Sequence, residues 1–196
     1  MTQPESRYPR TVELSSSRIE LRLMTPADEQ SVLEFARTLP AHDLLFLRRD
    51  ITQPKVLSAW IRELEAGTIT SLLALREGKL LGCSAVVRDE HSWSPHVGEL
   101  RVLLSPEQRE KGLGRTLIQE SFILALSQGL EKLTAQMTAD QQAAIAVFEG
   151  LGFRAEALLR DHVRDASGAK HDIVILSHDV AEFQAKLQQY GLKEAF

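Results

Sequence analysis

The segment V102-L-L-S-P-E-Q-R-E-K-G-L-G-R-T-L-I118 constrains the fold more than any other stretch of the chain. An apolar run ends at Ser105-Pro106, where proline stops strand pairing. A charged turn follows, then Gly112 and Gly114, then apolar residues at helical spacing (Leu113, Leu117, Ile118, Phe122, Leu126) as far as Gly129. The pattern predicts a strand, a tight turn and a helix packed on a sheet. The first N–H groups of such a helix have no partner within it and sit at the positive end of its dipole. Without side chains at Gly112 and Gly114, the backbone can approach an anion closely. Arg109, Lys111 and Arg115 add positive charge, so the turn suits a pyrophosphate. Two other phosphate motifs are excluded. A dinucleotide fingerprint needs a third glycine where Leu117 stands, and a triphosphate loop needs a lysine where Arg115 stands.

The remaining chain supplies a sheet for that helix. Residues 18–24 alternate polar and apolar as a strand does. Thr25-Pro26 opens a helix to about Thr38, and residues 40–66 read as mostly helical, with Pro54 near a start and Gly67 as a stop. Residues 69–76 and 80–88 form a hairpin around Glu77-Gly78-Lys79. Residues 97–104, 131–137, 153–164 and 171–177 are strands. Between them lies a helix ending at Gly150, with a capping-box signature in Thr138 and Gln141 and Gly152 as a left-handed cap. The last dozen residues suggest a short helix. Strands and helices mixed throughout give an α/β or α+β class.

At 196 residues the chain fits one domain with ragged ends. Hydrophobic residues at 43% and charged residues at 26% place it among soluble globular proteins. A net charge of -4 argues against general nucleic-acid binding. Cys83 is the single cysteine, so no intrachain disulfide or cysteine zinc site is expected. No secretory signal or membrane span is legible, and the expected location is the cytoplasm.

R109-E-K-G-L-G114 resembles the [R/Q]-x-x-G-x-[G/A] signature of the GNAT superfamily of N-acetyltransferases. L100-R-V-L-L-S-P is similar to that family's fourth strand, A143-A-I-A-V-F-E-G-L-G-F153 to its A-x-x-x-Y-x-x-x-G-F segment, and I19-E-L-R-L-M-T-P-A-D28 to its first strand and helix start. The resemblance implies a mixed, mostly antiparallel sheet of six to seven strands, flanked by helices and splayed between strands 4 and 5. It implies an acetyltransferase domain at 18–180, with residues 1–17 as an arm, or at most a short added strand, and 181–196 as a helical tail.

The resemblance also implies transfer of an acetyl group from acetyl-CoA to a primary amine of a small molecule or protein, without a metal. The backbone of Val102, Leu103 and Leu104 would pair with the pantetheine arm. Arg109, Glu110, Lys111, Gly112, Leu113, Gly114 and Arg115 would hold the pyrophosphate, with Gln141 and Phe148 beside them. Here the chain departs from the family. Phe148 stands where a tyrosine acid is common, and Gln136 where one branch has a glutamate base. Glu99 remains as the base, or pairs with Arg101 facing away; His96 and Tyr190 rank below it. The alternative is a module of this fold that binds acyl-CoA without turning it over.

Other residues carry less. Arg164, Asp165, Gly168, His171 and Asp172 form a polar hairpin that borders the acceptor site in this family, or a solvated turn. Asp43 and Asp50 meet a cationic acceptor, or line a solvated helix face along with Arg48 and Arg49. Trp60 and Trp93 are expected in the core, and Cys83 buried and inert. An exposed strand edge or the tail leaves room for a homodimer.

Overall fold

The alternation near residue 20 becomes strand β2 (Ser17–Leu23) in the computed structural model, which describes residues 7–14, 17–109 and 111–180. Ile19 and Leu21 are buried while Arg18 and Glu20 face solvent. Pro26 opens a 3-10 turn (Pro26–Asp28) that leads into helix α1 (Glu29–Thr38). Asp28 ties this joint to the strand. It accepts from the Thr25 N–H at 2.8 Å, from the Thr25 hydroxyl at 3.0 Å, and from Arg22 at 2.7 and 2.8 Å.

The bond from Arg22, more than any other contact, holds the Asp28 carboxyl down to about 2, from an ordinary 3.8. A depressed carboxyl stabilises the fold above its unfolded value and stops doing so as pH falls through its folded value. Asp28→Asn is therefore expected to cost about 2 kcal/mol at pH 7. The loss should fade as pH drops from about 4 toward 2. Thermal unfolding of both proteins across that range checks it; a constant gap would show that Asp28 acts through packing.

The stretch 40–66 is only partly helical. Residues 41–44 form a 3-10 turn and helix α2 spans Pro54–Glu65, but 45–53 are turns and bends. The carboxylate of Asp50 bonds the N–H and hydroxyl of Thr52 and the amide of Gln53, a local arrangement that competes with helix. Strands β3 (Ile69–Arg76) and β4 (Lys79–Val87) meet in a two-residue turn. Glu77 and Gly78 both have positive φ, 52° and 78°, which suits the twist of a tight hairpin.

Strand β5 (Val97–Leu104), helix α3 (Leu113–Ser127), strand β6 (Lys132–Thr138), helix α4 (Gln142–Glu149) and strands β7 (Arg154–Arg164) and β8 (Lys170–Asp179) follow. The expected capping box does not form. Gln141 precedes α4 without a side-chain cap, and the Thr138 hydroxyl is turned to other partners. The C-terminal tail 181–196, with Tyr190, lies outside the described residues.

The sheet has eight strands rather than the expected six to seven, ordered β1-β2-β3-β4-β5-β6-β8-β7. All neighbours are antiparallel except β5 and β6. The added strand is β1 (Arg10–Leu14), paired with β2 at one edge. Its approach is anchored on α3. Glu120, only 7% exposed at its side chain, accepts from Arg7 at 3.1 and 3.2 Å, from the Tyr8 hydroxyl at 2.8 Å and from Arg10 at 2.9 Å.

Each face of the sheet carries its own core. Leu117, Ile118 and Phe122 of α3 pack with Phe148 and Phe153 on one face. Val32, Phe35, Leu57 and Trp60 of α1 and α2 cover the other. Trp60 is buried and donates from its ring nitrogen to the Ser71 hydroxyl at 3.0 Å. Cys83 lies in the same core, where burial pushes its thiol up to about 12. Trp93, by contrast, is fully exposed on the loop between β4 and β5, where Asp89 accepts from the His91 N–H and the Ser92 hydroxyl, and Ser92 accepts from the Ser94 N–H. No helix among the described residues is long and apolar enough to cross a membrane.

Candidate functional site

Strands β5 and β6 run parallel but stay paired only at their first rungs, Val97–Lys132, Gly98–Leu133 and Glu99–Thr134. β5 continues to Leu104 and β6 to Thr138, so beyond Glu99 the two diverge. Diverging strands leave backbone N–H and C=O groups without a ladder partner, and such groups take up another extended chain. A cavity of about 450 Å³ fills the opening. Leu39, Asp43 and Phe46 line it from the α1–α2 side, Ile118 and Phe148 from the α3–α4 side, so it passes through the plane of the sheet.

The residues read from the sequence divide by position around this cavity. Val102, Leu103, Leu104, Arg109, Gly114, Gln141 and Phe148 line it. The side chain of Leu103 packs into the α1–α2 core while Val102 and Leu104 pack toward α3, as strand alternation requires. Gly112 stands immediately before α3 with φ 84°, a left-handed conformation that favours glycine. The Leu113 side chain is buried in the core, so only its backbone can serve a ligand. Lys111 and Arg115 are exposed at the same turn, and Glu110 lies outside the described residues. A Cβ added at Gly114 would stand 3.0 Å from the Leu104 side chain, so glycine there permits the close fit of helix to strand.

Glu99 occupies the last paired rung and does not line the cavity. Both its carboxylate oxygens accept from Arg101, at 2.8 and 3.3 Å. His96 is exposed on the loop before β5, and its carbonyl accepts from Glu131 and Lys132. Gln136 lines the cavity as a neutral amide. Phe148 packs edge-on against Phe153 with ring centroids 4.9 Å apart and offers no proton.

Sequence reasoning missed His42. It lies in the turn after α1, where the helix gap at Pro40 and the neighbouring Asp43 were the available signals. Its Nε2 stands 3.1 and 3.0 Å from the two oxygens of Asp140 and 3.2 Å from the Thr138 hydroxyl. The ring meets His171 edge-on, centroids 5.1 Å apart. His171 in turn pairs with Asp165 at 2.8 Å. The polar hairpin between β7 and β8 therefore reaches the turn after α1 through His171, and its residues are not among those that line the cavity. His42, Asp140 and His171 each bring one metal-ligating atom within 4.8 Å of the others. Hydrogen bonds from Thr138 and His42 hold the Asp140 carboxyl below its ordinary range. Asp43 pairs with Arg109 across the cavity.

Residues 34–153 match the sequence model described as the acetyltransferase (GNAT) family. Over 76 residues the chain is 29% identical to the [ribosomal protein bS18]-alanine N-acetyltransferase of Escherichia coli (strain K12). That stretch is 39% of this chain, and it spans about half, 51%, of the relative's length. The acetyltransferase of the GNAT family from Streptococcus pneumoniae superposes with a TM-score of 0.71 at 20% identity, over 82% of this chain and 99% of that one. A putative acetyltransferase from Salmonella typhimurium, solved with its cofactor acetyl-CoA, gives 0.72 at 19% identity, over 84% and 95%. At these identities the likeness is one of fold.

Proposed function

This chain belongs to the GNAT acetyltransferase family, and on that premise we propose that it transfers an acetyl group from acetyl-CoA to a primary amine, in the cytoplasm. The observation that carries this reading is the divergence of β5 and β6 over a cavity that crosses the sheet. A thioester on an extended arm fits such an opening, entering on the α3 side and meeting an amine on the α1–α2 side. The turn at Gly112 supplies the anchor for the arm's pyrophosphate through the N–H groups of 113–115, with Lys111 and Arg115 beside them. Backbone N–H groups of the freed part of β5 pair with the arm, and one of them steadies the oxyanion during attack. The acceptor is a protein or small-molecule amine.

The test is release of free thiol from acetyl-CoA with a panel of amines: spermidine, a peptide with an N-terminal alanine and a peptide with an internal lysine. Thiol release dependent on an amine supports the transferase. Tight acetyl-CoA binding with no thiol release from any amine favours a module that binds without turnover.

The bidentate bond to Arg101 weakens the case for Glu99 as base. Removing a general base costs about 100- to 10,000-fold. We expect Glu99→Gln to change thiol release by less than about threefold, far below the cost of losing a base. A loss of the larger size would restore Glu99 to that role.

A further inference from the structure

Three segments far apart in sequence meet beside the cavity: the turn after α1, the turn after β6 and the start of β8. They bring His42, Asp140 and His171 together, with one metal-ligating atom from each within 4.8 Å of the others. Asp140 lines the cavity and the two histidines do not. The acetyl transfer proposed above makes no use of either histidine. The sheet places two of the three residues. Thr138 pairs with Ile173 across β6 and β8, and the Ala139 N–H donates to the Asp172 carbonyl at 2.9 Å. Asp140 and His171, one position further along each segment, are thereby fixed at the same end of the sheet. His42 comes to them from the 3-10 turn, with its Nε2 3.0 and 3.1 Å from the two oxygens of Asp140.

A histidine beside an aspartate is ordinary on a protein surface. A second imidazole, edge-on to the first with centroids 5.1 Å apart and held by a carboxylate of its own, points to a metal. Nε2 of His171 is bonded to Asp165 at 2.8 Å, which leaves Nδ1 for an ion. A ligating histidine commonly gives its other ring N–H to a carboxylate, which orients the ring and strengthens it as a ligand. Asp165 is itself fixed, since its other oxygen accepts from the Ser167 N–H and hydroxyl and from the Ala169 N–H. On the opposite side the buried Thr138 hydroxyl bonds the Asp140 carboxylate and lies 3.2 Å from Nε2 of His42.

Around a tetrahedral ion with bonds of about 2.0–2.1 Å, ligand atoms stand about 3.3 Å apart. His42 and Asp140 already have that spacing. The approach of His171 has to close by no more than about 1.5 Å from the 4.8 Å limit, a change that side-chain rotation supplies. Two imidazole nitrogens and one carboxylate suit zinc and its transition-metal neighbours, whereas magnesium and calcium take oxygen ligands. Asp140 is 63% exposed at its side chain, so water can reach a fourth position.

We propose that His42, Asp140 and His171 bind one zinc ion, with water as its fourth ligand. The ion takes Nε2 of His42, one oxygen of Asp140 and Nδ1 of His171, while Asp165 and Thr138 hold these ligands in place. It pins the turn after α1, which carries Asp43 of the cavity wall, to the adjoining ends of β6 and β8. Acetyl transfer as proposed above does not need the ion, so this assignment stands or falls apart from that reading.

Zinc chloride is titrated by calorimetry into the full chain, free of any affinity tag and dialysed against chelator. The same is done for His42→Ala, His171→Ala, Asp165→Asn and His91→Ala, and Tm is measured with and without the ion. Wild type is expected to bind one zinc per chain, and its Tm to rise by about 5 °C or more at a hundredfold excess over Kd. His42→Ala and His171→Ala should each weaken binding by about 100-fold or more. Asp165→Asn should weaken it by about 10- to 100-fold, because Asp165 orients a ring without touching the ion. His91, exposed on the loop between β4 and β5, is the control, and its loss should leave zinc binding unchanged. Magnesium chloride should produce neither heat of binding nor a rise in Tm. The metal-free Tm shows which variants are folded, and either histidine variant alone decides the question. Wild type that binds no zinc overturns the proposal. So does zinc held as tightly by a folded histidine variant as by wild type, or an equal response to magnesium.

Discussion

Gly112→Glu is expected to weaken acetyl-CoA binding by about three orders of magnitude, read by calorimetry. The N–H groups of 113–115 precede the first helical bond of α3, from Thr116 to Gly112, and the exposed residues Lys111 and Arg115 stand at the same turn. A carboxylate in that turn places a negative charge beside two phosphates. At about 4 Å and an effective dielectric constant near 20, a like-charge pair costs about 4 kcal/mol. Each 1.4 kcal/mol is about tenfold in affinity. Among the described residues there is room for the new side chain, since a Cβ at Gly112 would meet the Leu14 side chain at 3.9 Å and nothing nearer. The φ of 84° adds backbone strain of about 1–2 kcal/mol for any residue other than glycine. Gly112→Ala isolates that strain. It should lower the melting temperature as the glutamate does, yet retain most of the affinity. Equal affinity losses for alanine and glutamate would show that backbone shape matters and charge does not.

Glu120→Ala is expected to destabilise the fold by about 3 kcal/mol, near the lower end for breaking a buried ion pair. For a chain of this size that is a fall of roughly 6–12 °C in Tm. The cost arises because three donors converge on one carboxylate that is 7% exposed. Removing it strands the Tyr8 hydroxyl in the core, where burial and the Glu120 charge already push that phenol up. Arg7 and Arg10 are partly exposed and recover some hydration, which keeps the loss from the upper end of the range. Glu13→Ala is the control. Its partner Arg18 and itself are 83% and 77% exposed, and such pairs contribute about 0–1 kcal/mol. A loss in Glu120→Ala no larger than in the control would mean that the arm is not fastened through this carboxylate.

These two residues mark what the sequence makes legible. The turn at Gly112 is written locally: proline stops the strand, glycine takes the positive φ, and apolar spacing carries the helix onto the sheet. The same local grammar places β2 through β8 and the starts of α1 and α2. β1 has no such signature, because a five-residue strand held by a glutamate more than a hundred positions away depends on contacts that no window of sequence contains. The helical reading of 45–53 gave way to the side-chain bonds of Asp50. Trp93, large and apolar, stands fully exposed on its loop rather than in the core.

The site divides in the same way. The residues that line the phosphate side belong to one continuous stretch, so their spacing announced them. His42, Asp140 and His171 come from three segments that only the sheet order brings together. Asp140 follows β6, and His171 stands on β8, its neighbour. The polar hairpin had a solvated turn as its other reading, and no motif singled out His42.

Amide hydrogen exchange with and without acetyl-CoA tests the location of the donor site most directly. The N–H groups of 102–104 on the diverging end of β5 and of 113–115 at the start of α3 should slow together on addition of acetyl-CoA, while β1, β7 and β8 remain unchanged. Protection confined to other segments, or none at saturating acetyl-CoA, would contradict the assignment of the β5–β6 opening as the acyl-donor site.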